Sequence, residues 1–177
     1  MRGIVGSGMK VSLRQWEDAD YAPFAVMNAD PEVMRYFPSP LTREQSDSLA
    51  RRQRELIERQ GWGLWAVEVD GVFAGFTGLA VPAFEAPFTP CVEIGWRLAR
   101  EHWGRGIAHE AAKQALHHAF ANLHLTEVLS FTARVNDRSR RLMERLGLVR
   151  DFDADFLHPR IPEGHELSHH VLYRAQA

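Results

Sequence analysis

The chain has 177 residues, 45% of them hydrophobic and 25% charged, with a formal net charge of −2. That length predicts one domain able to bury its own core, and the near-neutral charge gives no field that would draw a nucleic acid. Cys91 is the single cysteine, which excludes an internal disulfide and a cysteine metal cage, and no apolar run reaches the roughly 18 to 20 residues of a membrane span.

The opening "MRGIVGSGMK" is too short and too glycine-rich for a secretory signal. Residues 1–8 read as a disordered leader or cloning remnant, and 9–177 as one domain in a reducing, cytoplasmic setting. "MKVSLRQW" (9–16) predicts a first strand, and the spacing of Tyr21, Phe24, Ala25 and Asn28 predicts a helix over 18–28. Pro23 falls in its first turn, where no donor is lost. "FPSPL" (37–41) is a loop, after which Thr42 and Gln45 form a capping box for a charged helix through about Gln60. Its Arg and Glu residues read as a solvated face.

The runs at 62–69 and 72–81 are strands joined by Asp70-Gly71, a strong hairpin signal. Gly75 and Gly78 in the second run predict a bulge or a close backbone approach. A proline-rich connection (82–90) leads to another strand, "CVEIGWRL" (91–98). Apolar positions from Ile107 to Phe120 recur at 3.6 spacing and predict a helix over about 104–122. "EVLSFTARV" (127–135) is a strand, and "NDRSRRLMERLG" (136–147) is a helix with Asn136 as N-cap and Gly147 past its end. The remainder divides into a strand (148–153), a loop (154–165) and a last strand (166–174). An antiparallel meander that feeds a strand–helix–strand crossover predicts the α/β class, a mixed sheet with helices on its faces.

Gly104 and Gly106 stand where the long helix begins, with Arg105 between them. A helix N-terminus offers about four unpaired amides and a partial positive charge, and missing side chains let a phosphate or diphosphate rest on them. Arg105 can add a charge-assisted contact. A dinucleotide fingerprint fails because His109 occupies its third glycine position, and it would not follow a meander. No P-loop pattern is present, while a glycine-rich cap without ligand stays open.

The run "VEIGWRLAREHWGRGIAHEA" (92–111) resembles the acyl-CoA-binding signature of the GNAT superfamily of N-acetyltransferases, Gln/Arg-x-x-Gly-x-Gly/Ala, with Glu101 departing from it at the first position. Residues 12–37, 136–148 and 169–174 are similar to further segments of the branch that acetylates N-termini of ribosomal proteins. The resemblance implies a mostly antiparallel sheet of about seven strands with about four helices, splayed between the fourth and fifth strands. It implies acetyl-CoA inserted in the splay as co-substrate, and direct transfer to a primary amine, either a protein N-terminus or a small molecule. Trp96, Arg97 and Leu98 would line the pantetheine arm through their backbone. Trp103, Gly104, Arg105, Gly106, Ile107 and Ala108 would hold the diphosphate, and Asn136 a pantetheine amide. No metal is implied, and a homodimer is left open.

Glu93, in an otherwise apolar strand, is the candidate base, because partial desolvation raises a carboxyl pKa toward a useful value. A solvent-facing glutamate is the alternative. Met143 stands where many members carry a catalytic tyrosine, and Ser139 matches the serine that would hydrogen-bond the coenzyme sulfur. The resemblance puts the acceptor pocket at residues 28–45 and 152–166, and Asp151, Asp153, Asp155, Glu163 and Glu166 suggest an acidic rim that attracts an amine. His117, His118 and His124 read as helix-surface residues, and His169 and His170 fall on opposite strand faces. His170, His169 or His158 could touch the acceptor. A GNAT-fold protein that binds acyl-CoA without transfer is the competing reading, favoured by the missing tyrosine.

Overall fold

The computed structural model describes residues 8–177, so the leader expected over 1–8 lies, apart from Gly8, outside the described residues. The first half of the chain forms β1 (Val11–Arg14), α1 (Tyr21–Ala29), α2 (Arg43–Gln60), β2 (Leu64–Val69), β3 (Val72–Ala80) and β4 (Glu93–Leu98). The second half forms α3 (Ile107–His117), β5 (Glu127–Ala133), α4 (Asp137–Arg145), β6 (Val149–Leu157) and β7 (His169–Gln176). The strands make one seven-stranded sheet in the order β1-β2-β3-β4-β5-β7-β6, antiparallel throughout except where β4 lies parallel to β5. This is the expected mixed α/β architecture.

Local chemistry accounts for most element ends. Thr42 Oγ1 accepts from the Gln45 amide at 3.2 Å while Gln45 Oε1 accepts from the Thr42 amide at 2.8 Å, so two orphan donors of α2 are satisfied reciprocally. Gly61, at φ 85°, ends that helix in the left-handed region. Asp70 and Gly71 both have positive φ, 50° and 84°, as a two-residue type I′ hairpin requires.

Several boundaries differ from the sequence expectation, two of them at the site. The helix expected from 104 begins at Ile107, with Gly104 and Gly106 ahead of it in left-handed conformations, and residues 118–122 widen into a π-turn. β6 continues to Leu157, so the loop spans 158–168 rather than 154–165. Asp155 looks like a loop residue, but β6 is the edge strand with an irregular register to β7, and an edge tolerates charge. His118 packs edge-on against Trp65, with ring centres 5.0 Å apart, instead of lying on the surface.

Each face of the sheet has its own core. Trp65, Leu79, Ile94 and Val128 pack with Ala112, Ala115 and Met143 of α3 and α4. On the other face Trp16, Ala66 and Phe76 pack with Phe24 and Met27 of α1, with Trp16 and Phe24 ring centres 4.8 Å apart. Full burial of such side chains contributes about 1.5–3 kcal/mol each.

Gly75 and Gly78 allow the close approach expected of them. Gly75 has φ 140°, and a Cβ there would strike the Arg97 carbonyl; one on Gly78 would strike that of Gly63. Gly75→Ala is therefore expected to cost about 2–4 kcal/mol, seen as a lower urea midpoint at unchanged slope. Gly95→Ala, with no heavy atom within 4 Å of the added carbon, is expected to change stability by less than about 1 kcal/mol.

Candidate active site

β4 and β5 share a single registered pair, Glu93 with Leu129, closed by a 2.9 Å bond from the Leu129 amide to the Val92 carbonyl. The next rung is filled by a side chain, as Ser130 Oγ donates to the Ile94 carbonyl at 3.0 Å. Beyond it the strands diverge. Bonding direction alternates along a strand, so Trp96, like Val92 and Ile94, turns its N–H and C=O toward β5 and hence into the opening. Glu93, Gly95 and Arg97 turn theirs toward β3, in line with the Ala99 amide bonding Ala74 at 2.9 Å. A cleft of about 760 Å³ runs through the gap, within the usual size of ligand sites.

On the α3–α4 side, Ser139 Oγ accepts from Trp96 Nε1 and from Asn136 Nδ2, each at 3.2 Å. A hydroxyl has one hydrogen and two acceptor sites, so both acceptor sites are taken and only its hydrogen is free. Asn136 caps α4 by accepting from the Ser139 amide at 3.3 Å and donates to Thr132 Oγ1 at 3.0 Å, so its side chain is largely engaged within the protein. At the mouth of the cleft, Gly104 and Gly106 have φ of 70° and 79° with open space where a side chain would stand. No side chain caps α3, and its first amides point outward beside Ile107 and Ala108. That shape and donor set fit a diphosphate.

Not every residue singled out from sequence meets there. Arg105 is exposed, its guanidinium 3.6 Å from the Met9 sulfur, and is not part of the cleft lining. Leu98 does line the cleft, but its side chain belongs to the core and its carbonyl accepts from Trp103 Nε1 at 2.9 Å. Arg138, which the sequence reading passed over, lines the cleft with its guanidinium carbon 3.8 Å from the Trp103 ring centre. Its position two residues after the capping Asn136 was the available signal.

The acceptor-facing side holds Glu93, half-buried and without a hydrogen-bond partner among the described residues; burial pushes its carboxyl up to about 7. Beside it stands an aromatic wall of Phe84, Phe88, Phe131 and Phe156, continued by His158 and His170 with ring centres 4.8 Å apart. His170 is buried and pushed down to about 4, while His169 points out, as strand alternation requires. Arg97 lies at the other end, donating from Nη1 to Asn28 Oδ1 at 2.8 Å. Tyr36, within the 28–45 stretch expected to form the acceptor pocket, borders this end. The expected acidic rim does not form on the cleft. Arg174 binds Asp151 at 2.7 Å, Arg150 binds Asp155, and none of the five acidic residues named for it lines the cavity. Among the described residues, no three metal-ligating side chains come together.

The family profile of the acetyltransferase (GNAT) domain matches residues 10–149. FsC-acetyl coenzyme A-N(2)-transacetylase of Aspergillus fumigatus is 33% identical over 130 residues, 70% of this chain, although the chain spans only 55% of that protein. YkkB of Bacillus subtilis is 30% identical over 142 residues, 78% of this chain and 81% of YkkB. The solved structure of RimJ from Mycobacterium smegmatis in complex with CoA-disulfide superposes with a TM-score of 0.75 at 20% identity, covering 94% of this chain and 82% of that one, a likeness of fold. With its splayed sheet and glycine-led helix matched by that profile over most of its length, the chain belongs to the GNAT acetyltransferase family.

Proposed function

We propose that the protein transfers acetyl from acetyl-CoA directly to a primary amine, with Glu93 as base and Ser139 at the departing sulfur. The observation that carries this reading is the open β4 edge, flanked by Glu93 on one face and by the Trp96–Ser139 pair on the other. The diphosphate rests on the amides of residues 104–108 with Arg138 beside it, and the pantetheine arm runs along the free edge of β4 as a surrogate strand. The thioester oxygen then lies against a β4 N–H, which also holds the oxyanion. The amine attacks the carbonyl carbon and its proton passes to Glu93. When the C–S bond breaks, the departing thiolate accepts a hydrogen bond from the Ser139 hydroxyl, whose hydrogen is not engaged by Trp96 or Asn136.

Met143 offers no acid at the usual tyrosine position, and Tyr173 is engaged elsewhere, donating to Glu144 at 3.0 Å. A serine hydrogen bond that stabilises thiolate removes the need for full protonation. The activity in the name of the Aspergillus relative, an acetyl-CoA N(2)-transacetylase, favours a small-molecule acceptor over a protein N-terminus. Thiol release from acetyl-CoA across a panel of amines and N-terminal peptides tests the reading. Consumption that depends on an amine supports it, and tight coenzyme binding without amine-dependent release overturns it in favour of a non-catalytic binder.

The pH dependence follows from the raised carboxyl. kcat/KM is expected to climb with pH and level off above about 7, as Glu93 loses its proton. Glu93→Gln is expected to remove that limb and lower kcat/KM by about 10²-fold at pH 8. Its effect on stability runs the opposite way. A folded pKa near 7 against an ordinary 4.5 means that ionised Glu93 destabilises the native state above pH 7 and not below about 4.5. The Gln variant should thus be about 1–2 kcal/mol more stable than the parent at pH 8, with the gain absent at pH 4.5, read by urea unfolding. Ser139→Ala is expected to lower kcat by about tenfold, the worth of one charge-assisted hydrogen bond, with the KM for acetyl-CoA little changed in steady-state assays.

A further inference from the structure

The acceptor face of β4 carries Glu93, Gly95 and Arg97 in succession, with every second residue on this side. The space over Gly95 is open, with no heavy atom within 4 Å of where a Cβ would stand. At about 3.3 Å per residue, Glu93 and Arg97 are roughly 13 Å apart along the strand, and both line the cleft.

The setting of Arg97 is unusual for a structural arginine. Its guanidinium carbon lies 4.2 Å from the Phe37 ring centre and 5.2 Å from that of Phe76, so aromatic rings hold the planar group and leave its edge for hydrogen bonding. Nη1 donates to Asn28 Oδ1 at 2.8 Å, and Asn28, fully buried, is held in turn by a 2.9 Å bond from its Nδ2 to Ser46 Oγ. Nε is buried without a partner, and the Arg97 side chain lines the cleft. Among the described residues no carboxylate lies within 4.0 Å of Arg97. A desolvated cation with no counter-ion is costly, and a guanidinium edge is shaped for a carboxylate.

We propose that the acceptor is zwitterionic, with a carboxylate seated on the free guanidinium edge of Arg97 and the reacting amine beside Glu93. This rests on the acetyl-transfer reading and narrows its substrate class to amines that also carry a carboxylate. The five acidic residues of 151–166 stay off the cleft, where Glu32 and Glu93 are the lining carboxylates. The carboxylate can belong to a free amino acid, or to an acidic side chain near a longer N-terminus.

The test is acetyl-CoA turnover with matched acceptors: phenylalanine and 5-aminovalerate, their carboxamides, and the C-terminally amidated peptides Ala-Asp-Ala and Ala-Asn-Ala. The acids are expected to exceed their amides by at least tenfold in kcat/KM, chiefly through KM. Arg97→Gln should bring that ratio to within about twofold of unity, and Arg97→Lys should restore part of it. A preference confined to the Asp peptide identifies the side-chain source, and one seen with the free acids identifies the small zwitterion. Amides that match or outpace acids with the parent enzyme, or a ratio unaltered in Arg97→Gln, overturn the proposal alone. No thiol release with any amine overturns the transfer reading together with it. If Arg97→Gln does not fold, the parent acid-to-amide ratio decides by itself.

Discussion

Incomplete pairing between β4 and β5 is the constraint on which the rest of the molecule depends. Buried backbone donors and acceptors are costly when unmatched, so a sheet does not open in its middle without compensation. Here each half of the sheet is complete on its outer side: β4 pairs over six positions with β3, and β5 over seven with β7. Gly75 and Gly78 let neighbouring backbones approach β3 closely enough to hold it in place. Ser130 satisfies the Ile94 carbonyl, the last group that β5 itself can no longer reach. What remains past that point is a strand edge inside a cleft, and an extended ligand with amide groups can complete it as a further strand.

A single strand can present different side chains to two faces because successive residues alternate. Even-numbered positions direct Trp96 toward Ser139 and α4, while odd-numbered positions direct Glu93 and Arg97 toward the other face. The coenzyme and the acceptor can approach from opposite sides of the sheet without sharing side chains. The dryness of the cleft also acts on both charges: it pushes Glu93 up to about 7 and Arg97 down to about 10. Both shifts have one cause, the penalty on the charged form in a poorly solvated place. Glu93 gains a proton affinity suited to neutral pH, whereas Arg97 stays a cation in want of an anion.

Much of the fold was legible in the chain. The Thr42–Gln45 box, the Asp70-Gly71 turn and the Asn136 cap were read correctly because each joins residues no more than three apart. The glycine pair at 104 and 106 was legible as an open approach to a helix end, and the alternation of His169 and His170 as two strand faces. The acid-rich stretch after 150 misled, since counting carboxylates does not reveal which arginines reach them. Arg174 claims Asp151 across the β6–β7 pair, Arg150 claims Asp155 within β6, and neither acid lines the cleft.

The sequence alone determined the secondary elements, the caps and the glycine-led helix mouth, since these rest on local spacing and backbone preference, while its resemblance to the GNAT superfamily pointed to the family. Tertiary structure alone decided which charged groups share the cleft. Arg97 meets Asn28 across 69 residues and is stacked on Phe37 and Phe76 from two other elements, a setting that no local pattern encodes. The physical reason is that desolvation and ion pairing depend on which surfaces close around a group, and those surfaces exist only once the sheet and helices have packed.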